Sequence, residues 1–239
     1  MKADPTSTSG PRRRTLLGIA AATAAAPALA ACSSRDAPAH DGPATSLTAA
    51  TGASGPHTLM LIRHAEKPTG SGAPYGVTPD GKKDSKSLIV QGWTRAGALI
   101  GLFADRSGTG APVQARTALP RPTSVYAANP GGESKRPAQT VTPLAAVLGG
   151  APDTSYAKGQ EAQLATALLA ATGTVLVAWE HESIPAIISH LGPVTPAPPA
   201  SWPDDRFDVV WILTRHGDGW TFSQAPQLLL DGDLSTTIA

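Results

Sequence analysis

Cysteine is almost missing from this chain. Cys32 is the only one among 239 residues, so no disulfide can form within it and stability has to come from packing. Charge is scarce too, at 15% of residues, and nearly balanced. Four of the 19 basic residues (Lys2, Arg12, Arg13, Arg14) and one of the 18 acidic ones (Asp4) precede residue 33, which leaves the remainder at 15 against 17, a net of −2. A near-neutral domain lacks the broad basic face that duplex binding needs, so no nucleic-acid partner is expected and any anion site is a local pocket. The six histidines are scattered without close spacing, which gives no metal signature. The alanine-rich run Thr15 to Ala31 is shorter than the ~20 residues of a membrane span and contains Pro27, which disfavours a spanning helix.

What is present suits one α/β domain with a tail: 41% hydrophobic residues over this length give room for a sizeable core. Residues 1–14 are polar and end in Pro11-Arg12-Arg13-Arg14. The apolar run then follows, which is the layout of a signal peptide. Arg13-Arg14-Thr15-Leu16-Leu17 resembles a twin-arginine export signal, although an ordinary secretory signal fits as well, and Leu29-Ala30-Ala31-Cys32 resembles a bacterial lipobox. Together these imply an exported lipoprotein, held to the outer face of a bacterial cell membrane through lipid on Cys32. Residues 33–56 are rich in Ser, Ala, Pro, Thr and Gly without periodicity and read as a disordered tether. His40 and His57, on or beside it, read as solvated. Residues 57–239 make the domain.

Within the domain, Thr58 to Ile62 is a short apolar run expected of a buried strand. In Leu88 to Phe103, Ile89, Trp93, Ala96 and Ile100 recur at helical spacing, with Gly92 as a weak spot. Thr123 to Ala127 reads as a strand. Arg136 to Leu148 reads as a helix closed by Gly149-Gly150, and Glu161 to Thr172 as one closed by Gly173. Val175 to Ala178 is a further strand and Ile184 to Leu191 a short helix. Phe207 to Leu213 and Trp220 to Phe222 form a hairpin around Gly217 to Gly219. This alternation predicts an α/β three-layer sandwich, a mostly parallel central sheet with helices on both faces. Ligands of such sheets bind at the carboxyl ends of the strands, where Arg63 to Lys67, Asn129 to Arg136 and Glu180 to Ser183 fall.

Leu61-Ile62-Arg63-His64-Ala65-Glu66 resembles the first motif of the histidine phosphatase superfamily, with Ala65 in place of the family's glycine. Gly92-Trp93-Thr94-Arg95-Ala96 looks like its first helix. Ser134-Lys135-Arg136-Pro137-Ala138-Gln139-Thr140 resembles its second arginine motif, and Val177-Ala178-Trp179-Glu180-His181-Glu182-Ser183 its second histidine segment, in the family's order from about Thr58 to Asp231. The resemblance implies a phosphoglycerate mutase-like fold and hydrolysis of a small phosphomonoester, with no metal or organic cofactor. It makes His64 the nucleophile, and Arg63, Arg136 and His181 the phosphate ligands. The residue types suit that chemistry, since a phosphoryl group brings two negative charges and needs a nucleophile, planar cationic clamps and a proton for the leaving oxygen. Neighbouring guanidiniums would help keep His64 unprotonated. Glu182 is the first choice of general acid and Glu66 its rival, with Glu133 and Glu161 on rim segments.

Three features look catalytic and are discounted. Gly76 to Lys83 approaches a P-loop, but Lys83 stands where Ser or Thr should be and no strand precedes it. Arg215-His216-Gly217 copies the first motif inside a hairpin turn, and His190 ends a short helix, where it can meet exposed carbonyls. The other reading of the whole chain is a lipoprotein of the same fold that binds or scaffolds a phospho-ligand without turnover.

Overall fold

The computed structural model describes residues 57–104 and 119–239. The signal peptide, lipobox, Cys32, His40 and tether assignments lie outside the described residues. The elements are β1 (Thr58–Arg63), α1 (Val90–Phe103), β2 (Ser124–Ala127), α2 (Arg136–Val147), α3 (Glu161–Ala170), β3 (Thr174–Trp179), α4 (Ile184–Ser189), β4 (Val194–Thr195), β5 (Val209–His216) and β6 (Gly219–Pro226). No described helix is long and apolar enough to cross a membrane.

The strands form one six-stranded sheet in the order β2-β3-β1-β5-β6-β4. β1 and β2 each run parallel to β3, and β4 runs parallel to β6. β5 is antiparallel to both β1 and β6. The sheet is therefore mixed. The reversal is set by β5, which enters antiparallel to β1, and the hairpin turns the chain back: β5 and β6 are joined through Gly217 and Asp218, and Gly217 has a φ of 58°, the left-handed conformation such a turn requires. The two-residue β4 leaves no mark in the sequence.

β1 shows why the central strands read as unbroken apolar runs. Leu59 and Leu61 pack with residues of α3 and α4, while Met60 and Ile62 pack with residues of α1 and α2. All four are fully buried. A parallel strand covered on both faces cannot alternate apolar with polar, and burying each such side chain contributes about 1.5–3 kcal/mol. In α1 the buried residues Gly92, Arg95, Ala96, Leu99 and Phe103 follow helical spacing. Gly92 there is a contact point: a Cβ on it would lie 2.6 Å from the Glu66 carbonyl oxygen and 3.0 Å from the Glu66 nitrogen. Its missing side chain lets α1 press against the segment that follows β1.

His57 is corrected from solvated to buried. It is 3% exposed, its carbonyl accepts the Arg215 N–H at 2.8 Å, and its ring stands edge-on to Trp220 at 5.1 Å. Pairing with β5 continues past β1 and draws the residue in.

Candidate active site

The register of the central strands brings the site together. Arg63 pairs with Trp179, and the His64 N–H donates to the Trp179 carbonyl at 3.0 Å. The residues after β1 and β3 therefore leave the sheet side by side, as expected at the carboxyl edge of parallel strands. After β3, His181–Ser183 form a single 3-10 turn. The start of α2 supplies Ser134 and Arg136 from the third direction. His64, Arg136, His181 and Glu182 line one cleft of about 240 Å³, together with Lys67, Glu133, Ser134, Lys158 and Glu180. Lys67, Lys158 and Glu180 line this cleft, although the sequence reading did not single them out.

His64 is 3% exposed, and its Nδ1 lies 2.7 Å from the Ala65 carbonyl oxygen. That oxygen can only accept, so Nδ1 carries the proton and Nε2 keeps a free lone pair. Burial lowers the pKa of His64 to about 3, with smaller contributions from Arg63, Arg136 and Lys67, opposed by the Ala65 hydrogen bond. The imidazole is thus neutral at physiological pH. Desolvation is the first cause, ahead of the neighbouring guanidiniums invoked from sequence.

Arg63 is 1% exposed, and burial lowers its pKa to about 10, so it remains a cation. Its Nη1 donates to the carbonyls of Pro203 (3.1 Å), Asp204 and Arg206 (3.4 Å), and its guanidinium lies 3.9 Å over the Phe207 ring. Its Nε and Nη2 are buried without a hydrogen-bond partner. Nη2 is 3.8 Å from Asp204 Oδ1, and that oxygen is 2.7 Å from His181 Nε2. His181 is 6% exposed, and burial and then Arg63 lower its pKa. Arg136 is steadied by the carbonyls of Ser85 and Ser87, and burial lowers its pKa from the usual arginine value.

A single hydroxyl ties the first motif to the second. Thr140 Oγ1 accepts the Ala65 N–H at 2.8 Å and donates to the Arg136 carbonyl at 2.8 Å. Ala65 itself is fully buried among Leu88, Ala96 and Trp93, so its methyl group is accommodated by packing.

The proposed acids separate. Glu182 lines the cleft with a 69% exposed side chain, 3.6 Å from Lys158 Nζ. Glu180 also lines it, is only 14% exposed, and pairs with Lys158 at 2.7 Å. Glu133 stands on the same wall. Glu66 lines a neighbouring cleft instead: its Oε1 accepts from Arg95 Nε (3.0 Å) and Nη2 (2.8 Å), while Arg95 also binds Asp233 and Gln227. Glu161 Oε1 accepts from the Trp179 indole at 3.0 Å and the Gly159 N–H at 3.1 Å, which occupies it structurally.

The discounted features sit apart from the cleft. His216 closes β5 at the hairpin turn, His190 caps α4, and Gly76 to Lys83 is a loop whose ends pair through Val77 and Lys83. Among the described residues, no group of three or more His, Cys, Asp or Glu is placed to hold a metal ion.

No family model and no curated protein matches the chain. Among solved structures, it is similar to a protein assigned as phosphohistidine phosphatase SixA from Nakamurella multipartitia, with 21% identity, 70% of this chain and 87% of that chain covered, and a TM-score of 0.36. It is also similar to the protein histidine phosphatase SixA complexed with tungstate, with 14% identity, coverage of 71% and 97%, and a TM-score of 0.40.

Proposed function

We propose that this chain is an exported, lipid-anchored phosphomonoester hydrolase of the histidine phosphatase type, working through a phosphohistidine on His64. The observation that carries the reading is a buried, neutral imidazole whose free Nε2 shares one cleft with Arg136 and His181. Nε2 attacks phosphorus, forming a P–N bond as the P–O bond to the leaving group breaks. The leaving oxygen takes a proton from a carboxylic acid. Glu182 and Glu180, both on the cleft, are the candidates, and Glu66 is set aside because Arg95 holds it elsewhere. Water then attacks phosphorus, the P–N bond breaks, and inorganic phosphate leaves.

Arg63, Arg136 and His181 hold the phosphoryl oxygens. Charge stabilisation by such fixed donors is usually the largest contribution to the rate. Export and a lipid anchor are supported by the order of the amino-terminal sequence, an arginine cluster, an apolar run and Leu29-Ala30-Ala31-Cys32, with residues 33–56 as the tether. A phospho-ligand-binding lipoprotein without turnover is the second reading, favoured by the engagement of both candidate acids with Lys158 Nζ, Glu180 at 2.7 Å and Glu182 at 3.6 Å.

The test is phosphate release from an aryl phosphate and a panel of natural monoesters without added metal, comparing the chain with His64→Ala. Turnover that disappears in the variant is expected. Phosphate binding without product from any substrate would overturn the hydrolase in favour of the binding protein.

A further inference from the structure

Asp204 is out of keeping with its surroundings. Its side chain is 82% exposed, yet its carboxylate contacts two buried groups of the phosphate pocket, His181 Nε2 at 2.7 Å and Arg63 Nη2 at 3.8 Å. A carboxylate between a histidine and an arginine offers them what one edge of a phosphoryl group would. We infer that Asp204 is a built-in competitor, and that a phosphomonoester or inorganic phosphate displaces its carboxylate to enter the site. The inference rests on the phosphate-pocket reading above and adds an autoinhibitory contact to it.

Three features support displacement over permanent pairing. First, the Asp204 carboxylate meets Arg63 at ion-pair distance only, and the Nε and Nη2 of that guanidinium have no hydrogen-bond partner while buried. Together they are a two-pronged donor edge. A tetrahedral dianion brings more acceptor oxygens to these donors than the carboxylate does, which is at hydrogen-bond distance from His181 alone.

Second, the loop and the side chain are attached separately. Backbone carbonyls of Pro203, Asp204 and Arg206 accept from Arg63 Nη1, the Trp202 indole donates to the Arg206 carbonyl at 2.8 Å, and Phe207 lies against the guanidinium. The Asp204 carboxylate can rotate into solvent with all of these contacts kept.

Third, a carboxylate left in place would repel the incoming dianion at close range, so binding and release are coupled. The apparent affinity for phosphate is then reduced by the fraction of molecules in which Asp204 has let go.

The experiment is calorimetric titration of the chain, Asp204→Asn and Asp204→Ala with inorganic phosphate, accompanied by KM and kcat on an aryl phosphate. Both variants are expected to bind phosphate about three- to tenfold more tightly, through removal of a partly exposed charged contact. KM should fall by a similar factor, without loss of kcat. Unchanged phosphate affinity in both variants would overturn the inference alone. Weaker binding in Asp204→Ala that Asp204→Asn restores would overturn it too, and make Asp204 a positioning residue for His181. A kcat that falls in both variants, more for alkyl than for aryl leaving groups, would overturn it by making Asp204 a proton donor. Phosphate bound by none of the three proteins would overturn the pocket reading itself, and the competitor with it.

Discussion

Acidification is expected to unfold this protein partly through His64, and the size of the effect follows from the site. In the folded chain, burial holds the pKa of His64 at about 3, whereas an unfolded histidine titrates near 6.5. Between these values the unfolded state binds the proton and the folded state does not, so stability is fully present above about pH 6.5 and is lost as pH falls toward the folded value. From pH 7 to pH 4.5 that single group removes about 2.5 kcal/mol. His57 and His181, also held low by burial, act in the same direction, as do the lowered carboxylates Asp233 and Glu161.

Comparison with His64→Gln isolates the one contribution, because the others are common to both proteins. With an m-value of about 2 kcal/mol/M, the urea midpoint of the parent should fall by about 1 M more than that of the variant over this pH range. The offset between the two at pH 7 is irrelevant. Equal pH dependence in the two proteins would refute the reasoning, since it would mean that His64 is not held neutral by its burial.

Two further outcomes follow from packing. Gly92→Ala should cost about 1–3 kcal/mol, because the new methyl group meets the Glu66 backbone; the urea midpoint measures it, and a neutral result would show that α1 does not press on the segment carrying His64. Arg95→Met leaves the carboxylates of Glu66 and Asp233 buried without their cation and should cost about 3–5 kcal/mol, read as the same midpoint, with a loss below 1 kcal/mol counting against a structural role for that cluster.

The parallel part of the fold was legible because burial on both faces writes a continuous apolar run into Thr58 to Ile62 and Val175 to Ala178. Helical spacing and closing glycines marked the helices to within a few residues. The hairpin showed in Gly217 to Gly219, and the position of the cleft followed from strand ends alone. What stayed hidden is non-local. Glu66 sits two residues from His64, yet its partner Arg95 lies on α1 and turns it away from the cleft. Lys158 and Glu180 meet only because the loop before α3 crosses the end of β3. Asp204 belongs to a proline-rich stretch with no periodic signal, and Arg63 reaches that stretch only in the folded chain. The sequence names residue types and strand ends, but it does not say which charged groups will find each other across loops.

The placement of β1 also bears on how the chain is made. β1 is the first strand synthesised of the six described, and it is covered on its two edges by residues 174–179 and 210–214. Until those residues leave the ribosome, Leu-Met-Leu-Ile presents two bare edges, the condition under which strands recruit other chains and aggregate. A product terminated before Val209 would keep one edge open for good. His64 thus follows directly on the strand that waits longest for its neighbours, so topology leaves that stretch of the nascent chain in need of protection during the wait.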